Sequence, residues 1–165
     1  MTAASIRQLL EYTQRFCDAA QRHARHARGA NRARIERLAD YLHARRSVLL
    51  ETLRDCEDEV WGGVRQSWPA PVSHQALGRL VSAFERGAGF AADTVICSGL
   101  HLDDYMQLAC EAAAAAETGR VRAAFAELTQ RSRLDRADLL RELYPEGIGK
   151  GACAGRHGAA RHSLQ

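Results

Sequence analysis

Four polar residues fall on otherwise apolar stripes of predicted helices: Thr13, Arg45, Asp103 and Asp135. Because a helix turns by about 100° per residue, Arg45 shares its stripe with Leu42 and Leu49. Each of the four polar residues lies sixteen positions from Gly29 or Gly119, the glycines of two predicted turns. We therefore expect the four side chains to meet in one layer near the middle of a helical bundle.

The charges in this layer indicate an ion-paired cluster instead of a metal centre. An arginine carries its own positive charge and cannot ligate a metal cation, but its guanidinium pairs well with carboxylates. A buried ion pair is tolerated only when its charged groups are well hydrogen-bonded. We predict that Arg45 bridges Asp103 and Asp135, and that the layer has no catalytic residue, metal or cofactor.

Asp40 and His43 have the spacing of a metal-ligand pair, but their helical phase argues against that role. Asp40 falls opposite the apolar stripe and His43 about a third of a turn away from it, which favours a solvated face. A break in helical phase, for example at Gly99, would change this interpretation. In that case the candidate ligands are Glu11, Asp40, His43, Asp103, Asp104 and Glu111.

Arginines are concentrated around the first predicted turn, where they form a basic patch: Arg22, Arg25, Arg28, Arg32 and Arg34. This density exceeds what the net charge of +3 requires. Such a patch could contact phosphate groups. No interleaved aromatic residues or recognition-helix pattern accompany it, so we favour a solvated end of the bundle and keep nucleic-acid binding as an alternative.

The composition and the periodicity of the chain predict an all-α fold. Only 6% of the 165 residues are aromatic and three are proline, while alanine and arginine, which favour helices, are abundant. Apolar residues recur at three- and four-residue steps through two helical hairpins, residues 5–59 and 93–144. The connection between them, residues 60–92, contains Trp-Pro and a short helix at about residues 74–85. Asp93 or Thr94 is expected to cap the helix that follows.

Two antiparallel hairpins joined by a long crossover form a four-helix bundle of ferritin-like connectivity. A shift of 90 residues superposes Leu10 on Leu100, Gly29 on Gly119 and Arg46 on Arg136, which indicates an internal repeat. We assign the bundle to residues 1–147. The Gly- and Ala-rich tail, residues 148–165, has no apolar period and is expected to be flexible.

Targeting and cysteine patterns both favour a cytoplasmic protein. No apolar run approaches the roughly 20 residues that span a bilayer, so we expect no membrane partner. No secretion signal is found before Ile6. The five cysteines lack CxxC spacing, which argues against a disulfide framework or a zinc knuckle, and we expect most of them to be reduced thiols in or near the core.

The doubled hairpin, the Trp-Pro crossover and the segments SIRQLLEY and LDDYMQLA resemble the ferritin-like superfamily, in particular small bacterial rubrerythrin-type proteins. The resemblance covers about residues 5–144. It implies a di-iron or di-manganese site with an inward Glu on each of two helices and an inward Glu-x-x-His on each of the other two. At the corresponding places this chain has Thr13, Asp103, Leu42-x-x-Arg45 and Ser132-x-x-Asp135, so the implied metal site is degenerate.

We accordingly predict a non-catalytic bundle with a binding or structural role, which could assemble as a homodimer. The first alternative is a working iron-binding protein in iron or peroxide handling. Its ligands would be among the candidates given above for a break in helical phase: Glu11, Asp40, His43, Asp103, Asp104 and Glu111. Nucleic-acid association through the basic patch is the second alternative.

Overall fold

The computed structural model describes residues 3–59, 69–87 and 89–147. Five helices run through these residues: α1 (Ile6–His26), α2 (Gly29–Glu59), α3 (His74–Arg86), α4 (Ala92–Ala116) and α5 (Gly119–Leu143). Two short strands, β1 (Ala3–Ser5) and β2 (Pro69–Ser73), pair antiparallel. The predicted all-α fold class is confirmed. The tail, residues 148–165, for which we predicted flexibility, lies outside the described residues.

Local sequence explains where the helices begin and end. Ser5 and Gln8 form a reciprocal capping box at the start of α1, and the Ser73 hydroxyl accepts a hydrogen bond from the backbone at the start of α3. Gly29 and Gly119 have φ angles of 54° and 59°, a region that favours glycine, so the chain reverses there into α2 and α5. The prediction that Asp93 or Thr94 caps α4 is wrong, because the cap is Ala91 and makes no side-chain hydrogen bond.

The helices pack as two hairpins, α1 with α2 and α4 with α5. The second helix of the first hairpin, α2, contacts both helices of the second hairpin, and α1 contacts α4 on one side and α3 on the other. Leucines and phenylalanines from all five helices form one core between them. None of the helices in the described ranges has the length and apolarity that crossing a membrane requires.

Helix α4 continues without a break through Gly99. A Cβ atom at this position would lie 2.6 Å from Leu38 Cδ2 and 3.0 Å from Phe16 Cε1, so glycine allows α1 and α2 to approach α4 closely. The helical phase assumed for the polar layer therefore holds on α4. The phase break that would have turned the alternative ligands inward does not occur at this residue.

An arginine side chain binds the backbone of the neighbouring helix in the same way in each hairpin. Arg46 Nε donates to the Leu10 carbonyl oxygen at 3.1 Å, and Arg136 Nη1 donates to the Leu100 carbonyl oxygen at 3.3 Å. The donors are 90 residues apart, and so are the acceptors. Each bond fixes the register of the two antiparallel helices of its hairpin.

Candidate functional site: a buried ion pair beneath a cleft

Arg45 and Asp103 meet in the middle of the bundle, where α2 faces α4. Arg45 Nε donates to Asp103 Oδ1 at 3.0 Å, and the two side chains are only 7% and 2% exposed. Charges this deeply buried lose most of their hydration, so each needs a partner and hydrogen bonds to be stable. The prediction that these two residues share one layer agrees with this geometry.

Asp103 accepts hydrogen bonds from two further side chains. Tyr41 Oη donates to Asp103 Oδ2 at 3.2 Å, and Arg136 Nη1 donates to the same oxygen at 2.6 Å. Burial, and then the negative charge of Asp103, raise the pKa of Tyr41, so the phenol remains a proton donor. Arg136 Nη2 also pairs with Asp104 Oδ1 at 2.8 Å. A single carboxylate thus joins α2, α4 and α5.

Asp135 does not belong to this cluster, and the prediction that Arg45 bridges it to Asp103 is wrong. Its side chain is 51% exposed and lies 3.9 Å from Arg131 on the same helix. The adjacent residue, Arg136, extends into the bundle instead. The order of the charges is therefore reversed: one aspartate lies between two arginines, whereas we had placed one arginine between two aspartates.

Thr13 is buried as predicted, but its contacts are local. Its hydroxyl donates to the Leu9 carbonyl oxygen at 2.8 Å and lies 4.0 Å from Met106 Sδ. A threonine hydroxyl that is bonded back to its own helix is satisfied without a charged neighbour. Thr13 therefore fills the core next to the cluster and adds no charge to it.

The residues of this layer do not fit the di-metal centre that the family resemblance implies. The two positions nearest Asp103 bring guanidinium groups, and both carboxylate oxygens of Asp103 already accept hydrogen bonds. No group of three or more His, Cys, Asp or Glu side chains in the described part of the chain is arranged to hold a metal. Asp40 and His43 are exposed, as their helical phase predicted.

A cleft of about 330 Å³ opens between α2 and α5 beside the buried ion pair. Its floor contains buried side chains of mixed character, namely Tyr41, Arg45, Leu128 and Ser132. Exposed charged residues surround its mouth: Arg37, Asp40, Arg131, Asp135, Asp138 and Glu142. This volume is at the lower end of the range for small-molecule sites, which combine an apolar surface with a few polar groups.

Arg45 has one hydrogen-bonding group that the protein leaves unsatisfied. Its Nη2 atom is buried and has no hydrogen-bond partner among the described residues. Leaving a buried donor without a partner costs about 1–3 kcal/mol, and more for a charged group. The cluster therefore holds Arg45 in place through Nε and leaves one buried donor of its guanidinium without a partner.

Acidic residues of both hairpins neutralise part of the basic patch. Arg32 pairs with Glu36, and Arg34 pairs with Asp93 and stacks on the Tyr144 ring. Arg22, Arg25 and Arg28 are exposed, as predicted. The patch thus stabilises the contact between the two hairpins at Arg34, and its exposed arginines form the solvated end that we favoured.

Three of the cysteines in the described ranges are buried. Cys17, Cys56 and Cys110 are free thiols, in agreement with the prediction, whereas Cys97 is disulfide-bonded, so the expectation of a reduced thiol is wrong for that residue. Burial raises the pKa of Cys110 to about 11 and that of Cys17 to about 12. Both thiols are therefore protonated and unreactive near neutral pH.

No protein-family model, curated protein or solved structure matches this chain.

Proposed function

We propose that the chain is a non-catalytic four-helix bundle of ferritin-like connectivity that acts by binding. In this proposal an ion-paired cluster replaces the di-metal layer of the proteins it resembles. The single observation that carries the proposal is the environment of Asp103. This carboxylate accepts hydrogen bonds from Tyr41, Arg45 and Arg136, so each of its two oxygens already has a donor and two of the donors are cationic.

Electrostatics support the same conclusion. A divalent cation next to two guanidinium groups would be repelled by both, and in a buried site this repulsion is only weakly screened. Arg45 is held at 3.0 Å from Asp103 and Arg136 at 2.6 Å. Metal binding would require both arginines to leave and Asp103 to lose its counter-charges.

The 90-residue correspondence supports the proposed connectivity. The turn glycines, the helix ends at Ala27 and Glu117, and the two arginine-to-carbonyl bonds all recur at this spacing. Two hairpins that arose by duplication would have this property, and a helical crossover that includes α3 would connect them. We propose such a duplication as the origin of the fold.

Metal analysis of the purified protein tests the proposal. Protein prepared without added iron, and again after incubation with excess Fe²⁺ followed by desalting, is expected to retain far less than one iron per chain. Asp103→Asn serves as the control that links any retained metal to the buried layer. About two irons per chain, the content of a di-iron site, would overturn the proposal if Asp103→Asn abolished them.

A further inference from the structure

We infer that a disulfide joins Cys97 of α4 to Cys153, and that this bond ties the C-terminal tail to the bundle at the start of α4. Three observations support it: the bonding state of the described cysteines, the place where the tail leaves the bundle, and the accessibility of Cys97. The bond gives the chain an oxidised and a reduced form, and it is independent of the proposed function.

The bonding states of the other cysteines leave one partner for Cys97 within the chain. The sequence has five cysteines, and the structure describes four of them. Cys97 is disulfide-bonded, whereas Cys17, Cys56 and Cys110 are in the thiol form. The fifth cysteine is Cys153, which lies outside the described residues. By elimination, the sulfur bonded to Cys97 in the same chain is that of Cys153.

The tail leaves the bundle beside the first turn of α4, close to Cys97. Arg34 donates from Nε to the Leu143 carbonyl oxygen at 3.0 Å and from Nη2 to Asp93 Oδ1 at 2.9 Å. One guanidinium thus joins the last residue of α5 to the first turn of α4. Cys97 comes four residues after Asp93, on the same side of the helix and about 6 Å further along it.

The chain between the bundle and Cys153 is long enough for the bond. A turn in which the Gly147 N–H donates to the Tyr144 carbonyl oxygen at 3.0 Å keeps Gly147 beside the end of α5. The six residues from there to Cys153 span at most about 20 Å. Two of the six are glycines, which adopt the backbone angles of a chain reversal without steric cost.

Cys97 is also the most accessible of the four described cysteines. It is half-buried, whereas the three thiols are buried, and thiol–disulfide exchange requires access to the sulfur. Oxidised glutathione is a suitable oxidant: one protein thiolate attacks it and releases one glutathione thiol, and the second protein thiolate then displaces the other. Two protein thiols and one glutathione disulfide thus give one protein disulfide and two glutathione thiols.

Closing the bond should stabilise the fold. In the unfolded chain it closes a ring of about 57 residues, 97–153, whereas in the folded chain the bundle already fixes residues 97–147. The entropic cost of closing a loop rises with the logarithm of its length, so the bond disfavours the unfolded state more. For a chain of this size we expect a melting temperature about 4–7 °C higher in the oxidised form.

Peptide mass spectrometry identifies the bond. The full chain is equilibrated with oxidised glutathione, denatured in iodoacetamide to cap its thiols, and digested with trypsin and Asp-N. Cleavage before Asp103 separates Cys97 from Cys110. We expect the peptide of residues 93–102 to be joined to that of residues 151–156, with the other three cysteines capped. Dithiothreitol should release the two peptides.

Thermal unfolding with and without tris(carboxyethyl)phosphine measures the effect on stability. Cys153→Ser changes only the tail, and is expected to melt about 4–7 °C below the oxidised wild type, with or without reductant. Ala154→Ser is the matched control, because it alters the neighbouring position and keeps the cysteine. It should melt like the wild type under both conditions.

The inference is wrong if Cys97 is recovered as a capped thiol after equilibration, or if it is joined to a second chain, which a non-reducing gel would show as a covalent dimer. It is also wrong if the wild type melts at the same temperature with and without reductant. These outcomes leave the proposed function standing, because that proposal depends on iron uptake and on Asp103.

Discussion

The substitution Asp103→Asn should destabilise the fold more than any other single change of one charge. Asparagine keeps the shape of aspartate, but it removes the negative charge that Arg45 and Arg136 share, at 3.0 Å and 2.6 Å. The asparagine amide also places an N–H donor next to the N–H and O–H donors that surround the carboxylate. Removing one partner of a buried ion pair costs about 3–5 kcal/mol. For a chain of this size, that loss lowers the melting temperature by about 6–20 °C.

Equilibrium urea unfolding at pH 7, followed by circular dichroism, measures this effect. Asp135→Asn is the matched control, because Asp135 is 51% exposed and its partner Arg131 is 3.9 Å away. We expect the control to lose less than about 0.5 kcal/mol. The double variant Asp103→Asn with Arg45→Met removes both charges of the pair, and should lose at least about 1 kcal/mol less than the sum of the single variants. A loss below about 1 kcal/mol for Asp103→Asn, or strict additivity in the double variant, would refute the reasoning.

Two further predictions concern an ion pair at the surface and the buried thiols. Arg15 binds Glu85 with two hydrogen bonds, of 2.8 and 2.6 Å, and holds the pKa of Glu85 below its ordinary value of 4.5. This pair between α1 and α3 therefore stabilises the protein above pH 4.5, and its contribution is lost as pH falls through the lower pKa of the folded state. Glu85→Gln should cost at most about 1 kcal/mol at pH 7 and less at pH 3.5 in urea unfolding; a larger cost at pH 3.5 would contradict this account. For Cys110, with a pKa of about 11, we expect iodoacetamide at pH 8 to label the folded protein more than about 100-fold more slowly than the unfolded protein, by peptide mass spectrometry. Equal rates would contradict the buried, protonated thiol.

Helical periodicity was sufficient to predict the helices and the main pair of the site. The apolar stripes of α2 and α4 are strongly periodic, so they placed Arg45 and Asp103 inward and at one level, and the two residues do meet. Equal distance from a turn glycine is a usable measure of level, since every residue of a helix adds the same rise. This reasoning needs only local structure and the assumption of antiparallel hairpins.

The same reasoning failed on α5 because periodicity alone was ambiguous there. Ser132 and Leu139 are both buried and seven residues apart, so a position three or four residues after Ser132 could complete the stripe. The 90-residue shift selected Asp135. Arg136 is the residue that points inward, because its long side chain reaches Asp103 from a partly exposed position, whereas aspartate is too short to do so. The length of the Arg136 side chain, which the helical pattern does not take into account, was the property needed to predict this contact.

Tyr41 and the cleft were not predicted from the sequence, for different reasons. Tyr41 lies one turn before Arg45 on the same face of α2, and could have been found from that spacing. The cleft depends on the separation of α2 and α5 and on which side chains fill the space between them. That separation is a property of tertiary packing, and no pattern within either helix encodes it.

The position of one negative charge also determines which halves of this molecule can associate. Asp103 on α4 takes two of its three hydrogen-bond donors from the other hairpin, Tyr41 and Arg45 of α2. The equivalent position in the first hairpin is Thr13, which has no charge. Two copies of the first hairpin would bring two Arg45 side chains together without a carboxylate, and two copies of the second would bury Asp103 without Arg45. Each half thus disfavours a copy of itself and favours the other half, so the charge acts against bundles assembled from two identical hairpins.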